Sequence, residues 1–201
     1  MVSELQARTP SRRGRRPAAS RDDVLETALR RYLHGERVDV RAIAAELRLG
    51  RTTIYRWFGS RDGLLGEVLV TAAEALVDEA SAAATGTGAE RLLGTFDRIN
   101  VALAEAPALR TFLEQERDAL RILVSSAGVV QPRMVARITA LIEDEVRAGT
   151  YVPAVEPTDL AYAIVRLAEA FLYNDTVTGI RGDVGRLRAV EAVLLGLPAR
   201  S

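Results

Sequence analysis

Between residues 51 and 61 the chain places Arg51, Thr52, Thr53, Arg56 and Arg61, guanidinium and hydroxyl donors with no acidic residue among them. Such groups suit phosphates and base edges. Of these residues only arginine can pair bidentately with guanine, worth about 1–3 kcal/mol of discrimination, which singles out Arg56, or Arg51 at the start of the run. A second cluster, Arg13-Gly14-Arg15-Arg16-Pro17, lies upstream. A flexible Arg-Gly-Arg segment of this kind, Arg16 included, can enter an A·T-rich minor groove, where the potential is most negative. The formal net charge of zero hides this asymmetry. Residues 1–62 hold 14 Arg against 8 acidic residues, a net +6, and residues 63–201 hold 13 Arg against 19, a net −6. A basic first third on a neutral chain points to a polyanion, and nucleic acid is the usual one.

Catalytic chemistry finds little support. His34 is the single histidine and there is no cysteine. A Ser–His–Asp arrangement would have to use that residue, with nothing near it in sequence to help, and zinc sites of the common Cys/His types are excluded. Gly86-Thr87-Gly88 has Arg91 where a dinucleotide fingerprint needs a third glycine, and no strand precedes it. No cofactor is expected, and the chain is read as a non-enzyme. Glu143-Asp144-Glu145 is read as a solvated helix face, since consecutive helical residues point in different directions. The longest stretch without Asp, Glu, Lys or Arg runs only from Ile122 to Pro132. A membrane-spanning helix needs about 20 largely apolar residues, so none is expected. The arginine-rich start lacks the apolar core of a secretory signal, and a cytoplasmic location is expected.

The periodicity that must position the donors is helical throughout, which predicts an all-α chain of about nine helices. Residues 1–19 read as a flexible basic arm. Ser20, with Asp23 three residues on, caps a first helix whose apolar stripe includes Val24, Ala28 and Tyr32 and which ends near Gly35. Asp39 can cap a short second helix, and Arg48-Leu49-Gly50 turns into a third at about Arg51–Phe58. Gly59 stops it, and Ser60 caps a long fourth, about Arg61–Ala83. In the third helix Ile54 and Phe58 can pack inward with Leu49 while Thr52, Thr53 and Arg56 point outward, the partition that reading DNA demands. Gly86-Thr87-Gly88 breaks the chain, and further helices are expected after it to about Ala104, over Ala108–Ser125 as one bent or two short helices, from Pro132 to Gly149, over Thr158–Tyr173 and over Val184–Leu197.

These residues also carry a family resemblance. Val40-Arg41-Ala42-Ile43-Ala44, followed by Thr53-Ile54-Tyr55-Arg56-Trp57-Phe58-Gly59-Ser60-Arg61-Asp62-Gly63-Leu64-Leu65, closely resembles the DNA-binding motif of the TetR family. The likeness covers Asp22–Leu65. It implies a helix-turn-helix domain over 20–65, a ligand-binding and dimerisation domain over 66–201, and a homodimer on a palindromic operator of double-stranded DNA. It further implies that Tyr55 contacts a phosphate through its hydroxyl, that Arg61 stands where the family has a phosphate-binding lysine, and that Arg41 approaches phosphates. Two departures stand out: the family often has glycine at the position of Arg48, whereas the turn glycine here is Gly50, and Thr52 replaces a small residue. The segment Asp159–Gly179 is similar to the quorum-quenching lactonase repressor group.

A regulator of this kind is released by a small apolar or amphipathic effector. Polar residues on the apolar stripes of the C-terminal half are candidate ligand contacts: Asn100, Glu116, Arg166 and Glu169, with Phe96, Phe112, Tyr162 and Tyr173 as pocket walls. Arg166 and Glu169, three apart on one helix, can also pair with each other. The last two helices are too apolar for a surface and can form a four-helix bundle across a two-fold axis, with Leu167, Leu187, Val190, Val193, Leu194 and Leu197 at the dimer contact. The alternative is a helical interaction module whose helix-turn-helix no longer binds DNA.

Overall fold

The protein is described by a computed structural model over residues 19–173 and 183–198. The arm with Arg16 and the stretch 174–182, which holds the end of the Asp159–Gly179 resemblance, lie outside the described residues. Among the described residues the fold is all-helical: α1 (Arg21–Leu33), α2 (Val40–Glu46), α3 (Arg51–Phe58), α4 (Arg61–Ala83), α5 (Gly88–Glu105), α6 (Pro107–Gln115), α7 (Ala119–Val124), α8 (Val130–Arg147), α9 (Pro157–Tyr173) and α10 (Val184–Leu194). The tenth helix arises because Ala108–Ser125 divides into two, α6 and α7, at Glu116, whose extended backbone stops α6.

Local chemistry sets most of the boundaries. Ser20 and Asp23 form a reciprocal capping box on α1. Asp39 accepts from the amides of Arg41 and Ala42 at the start of α2, and Ser60 accepts from Gly63 N–H at the start of α4. The α3–α4 corner is tight: a Cβ at Gly63 would stand 2.0 Å from the Phe58 carbonyl oxygen, so this position must be glycine. Between α2 and α3 the left-handed backbone falls on Arg48, with φ 55°, while Gly50 keeps an ordinary φ of −75°. The turn therefore needs its conformational freedom at residue 48 rather than at Gly50, at a cost of about 1 kcal/mol for a residue with a Cβ.

Among the helix ends that differ from expectation, two have a clear cause. The α8 helix starts at Val130 rather than Pro132, because Val130 is buried in the core and Pro132 still falls within the first turn, where its missing N–H costs nothing. The last helix stops at Leu194 rather than Leu197: Gly196 adopts φ 81°, and Leu197 N–H bonds back to the Ala192 carbonyl at 2.8 Å.

Two apolar cores organise the chain. The first joins α1–α3 and the start of α4 to α6, α7 and the start of α8, through residues such as Val24, Ile43, Ile54, Leu64, Phe112 and Leu123. The second joins the far end of α4 to α5, α8, α9 and α10, through Val77, Leu92, Phe96, Ile142, Leu160 and Ala192. Packing is thus continuous across residue 65, and α4 runs through both cores. Outside them α4 is tied to α8 by exposed ion pairs, Arg133–Glu74 at 2.7 Å and Arg137–Asp78 at 2.5 Å. The acidic run 143–145 is not wholly solvated, contrary to its sequence reading. Glu145 is buried and accepts from Gly88 N–H at 2.7 Å, Arg91 at 2.8 Å and the Thr150 hydroxyl at 2.6 Å, fastening the start of α5 to the end of α8. Burial alone would raise its carboxyl, but these bonds hold it below the usual carboxylate range.

Candidate functional site

The first site is the outer face of α3. Ile54 is fully buried and Phe58 nearly so, with the Arg21 guanidinium stacked 4.6 Å over the Phe58 ring. The other side presents Thr52, Tyr55 and Arg56 to solvent, Tyr55 at 40% exposure, with Thr53 half-buried; Arg51, three residues before Ile54, is exposed because it opens the helix. Arg41, at the second position of α2, is exposed as well. Thr52, Tyr55 and Arg56 keep to one side because buried and exposed positions follow the 3.6-residue period, whereas Arg51 owes its exposure to its place at the N-terminal end.

Arg61 stands apart from these free donors. At the first position of α4 it is held by Glu116, with Arg61 Nη1 to Oε2 at 3.0 Å and Nη2 to Oε1 at 2.5 Å. Arg37 Nε lies 3.7 Å from the same carboxylate. The Glu116 hydrogen bonds raise the Arg61 guanidinium further above its already high value. One residue on, Asp62 receives Arg121 of α7 at 2.5 Å. The start of α4 is therefore clasped by charged groups at the α6–α7 joint.

The second site is a cavity of about 680 Å³ within the C-terminal half. It is walled by α4, α5, α8 and α9, reaches α1 through Leu29 and Tyr32, and includes Pro107, Ala108 and Leu109 at the start of α6. Of the sequence candidates, Phe96, Asn100, Glu169 and Tyr173 line it. The other four do not. Phe112 packs edge-on against Tyr32 in the first core, centroids 6.3 Å apart. Glu116 is bound to Arg61, and Tyr162 is half exposed on the outer side of α9. Arg166 turns to Glu169 Oε2 at 2.7 Å and to the Val124 carbonyl at 3.0 Å.

Sequence reasoning missed Glu191. It lies on α10 with no exposure to water, in the cavity wall, and both its oxygens accept from Asn100 Nδ2, at 3.0 and 3.1 Å. Burial pushes its carboxyl up to about 7, against the Asn100 hydrogen bonds. Its signal was present: four residues after Leu187 and three before Leu194, it falls on the apolar stripe of its own helix. Glu169 is likewise raised by burial and opposed by Arg166.

Of the expected dimer residues, Val190 and Val193 are exposed at 41% and 58%. Leu167 is half-buried, while Leu194 and Leu197 pack partly against the second core. Leu187 is fully buried within its own chain and cannot contribute an inter-protomer surface, because the α10 stripe it belongs to faces the core. The exposed Tyr162 of α9 is a surface aromatic rather than a pocket wall.

An exposed donor face on a short third helix, set above a helical domain with a central cavity, defines the class. Residues 87–196 match the family described as Tetracyclin repressor-like, C-terminal domain. The chain belongs to the TetR family of transcriptional regulators. Its structure is similar to that of the R. erythropolis transcriptional repressor QsdR from the TetR family, at 27% identity and a TM-score of 0.83, covering 90% of this chain and 96% of that one. The TetR transcriptional regulator SCO0520 from Streptomyces coelicolor matches at 24% identity and a TM-score of 0.40, over 90% and 100% of the two chains. No curated protein matches the sequence. No helix among the described residues is long and apolar enough to cross a membrane.

Proposed function

We propose that the chain is an effector-responsive repressor that binds a palindromic operator as a homodimer and leaves it when a small apolar or amphipathic molecule occupies the cavity. The observation that carries this reading is the two-sided α3, with Ile54 and Phe58 anchoring one face, Thr52, Tyr55 and Arg56 exposed on the other, and Arg51 exposed at its N-terminal end. Arg56 and Arg51 read bases. Tyr55, Thr52, Thr53 and Arg41 bind backbone or neighbouring edges, and Arg16 of the arm adds a minor-groove contact. Repression rather than activation is favoured by the similar structure, whose protein is described as a transcriptional repressor.

Two recognition helices of a dimer must meet major grooves one helical turn apart, roughly 34–36 Å. An effector works only if it binds the arrangement with the wrong separation better than the DNA-bound one. Two helices reach from cavity to DNA face and supply the route. The start of α6 lines the cavity and Glu116 just past its end grips Arg61, while α4 lines the cavity with residues such as Ala72 and Leu76 and begins beside α3.

Selection of purified protein against a random double-stranded DNA library tests the reading. A palindrome should be enriched by the unaltered protein and lost with Tyr55→Ala plus Arg56→Ala. A folded dimer that enriches nothing would favour the interaction module instead.

A further inference from the structure

We propose that the cavity takes an organic cation with an apolar body, an ammonium or amidinium head seated at Glu191. The proposal rests on the cavity being the effector site, and it narrows the chemistry of that effector. The described residues that line the cavity carry three carboxyl groups, Glu105, Glu169 and Glu191, and no arginine or histidine. Glu169 has its countercharge in Arg166 at 2.7 Å. Glu105 is exposed.

No ion pair among the described residues reaches Glu191. Among the described residues its hydrogen bonds come from the neutral Asn100 amide alone, and the arginine nearest to it on α10, Arg188, is engaged with Asp97 at 3.3 Å. The charged or polar groups that act on it are therefore Asp97 and Asn100 from α5 and Arg188 from its own helix, which eases its ionisation from a distance without pairing, while Glu169 of α9 lies elsewhere in the same cavity wall. An NH₂ group that donates to both oxygens favours the ionised acid as acceptor, while burial without a cation opposes ionisation. A ligand cation supplies the missing charge. A carboxylate ligand would bring a second uncompensated anion into the same wall. The rest of the cavity, including Phe96, Ile99, Ile138, Ile164 and Leu172, is apolar and suits a hydrocarbon or aromatic body.

Three probes with one body and different heads decide the matter: n-octylammonium, n-octanol and n-octanoate, titrated calorimetrically into the full chain. At about pH 8 the ammonium should bind at least about tenfold tighter than the alcohol, with octanoate weakest. In Glu191→Gln the ammonium preference should vanish. Because burial pushes Glu191 up to about 7, octylammonium binding near pH 6 should also expel a proton, seen as a heat that scales with the ionisation enthalpy of the buffer; octanol should expel none. Octanol or octanoate matching the ammonium in the unaltered protein would overturn the cation and leave the cavity as effector site. An ammonium preference that persists in Glu191→Gln, without proton release in the unaltered protein, would overturn Glu191 as the head site. If none of the three binds folded, operator-competent protein, both the cation and the effector reading of the cavity fail. Should the variant not fold, probe ranking and buffer-dependent heat in the unaltered protein suffice.

Discussion

A glutamate in an apolar core costs the fold something that varies with pH, and Glu191 makes the cost measurable. Its carboxyl is near 7 when folded against an ordinary 4.5, so the native state holds the proton more tightly than the unfolded chain. Stability is therefore full below about pH 4.5 as far as this group is concerned, and declines as pH rises towards 7, by roughly 3 kcal/mol in total. Glu191→Gln should remove that decline: its melting temperature should exceed that of the unaltered protein at about pH 8 and not at about pH 4, as read by thermal scans at both. An equal offset at the two pH values would mean that Glu191 does not titrate in this window. The same residue marks the limit of sequence reading. Its place on a stripe was visible, but whether a polar stripe residue faces a cavity, a neighbour's charge or solvent depends on which helix lies opposite. Glu116 illustrates this from the other side: it too was a stripe acid, and a cation waited for it at Arg61. At Arg48 the departure from the family was legible, whereas its physical content, a left-handed backbone carried by arginine, was not.

At the scale of elements, sequence reading did well wherever a boundary is set by chemistry local to the chain. Ser20, Asp39, Ser60 and Asp183 all cap the helices that follow them. It did less well where distant packing decides, as with Val130, which extends α8 to bury itself in the first core. The short α6 carries the functional consequence. It begins in the cavity wall, and Glu116, which ends it, holds Arg61 and lies near Arg37, so one carboxylate occupies a guanidinium that the family resemblance assigns to phosphate. Glu116→Gln should release Arg61. The slope of log operator affinity against log salt should then steepen by about 0.9, one further phosphate contact. Stability should fall by about 1 kcal/mol, since the pair is only partly buried. An unchanged slope would show that Arg61 serves the α4–α6 joint alone.

At the scale of the whole molecule, all-helical architecture and the basic N-terminal end follow from periodicity and charge distribution. The cavity does not, because it is empty space between helices whose sequences record only their apolar faces. Nor does the division of α10 into a buried side with Leu187 and an exposed side with Val190 and Val193. We propose that exposed side, with the exposed Tyr162 of α9, as the surface for dimerisation. Val190→Glu combined with Val193→Glu should leave the helical circular dichroism unchanged and sediment as a monomer that no longer selects a palindrome. A variant that remains dimeric would place the two-fold contact elsewhere.

The length of α4 has a mechanical meaning. Its 23 residues at about 1.5 Å each make a rod about 34 Å long, with the cavity along its middle and α3 at its tip. A tilt of only about 5° about the far end would swing Arg61 by about 3 Å, and in a symmetric dimer the two tips would part by up to twice that. The rod works as a lever, and the ion pairs of Glu74 and Asp78 with α8 grip it beyond the midpoint, nearer the pivot than the tip. Under the proposed function, a very small rearrangement around a bound molecule would in this way become a change of several ångströms in the spacing of the two recognition helices.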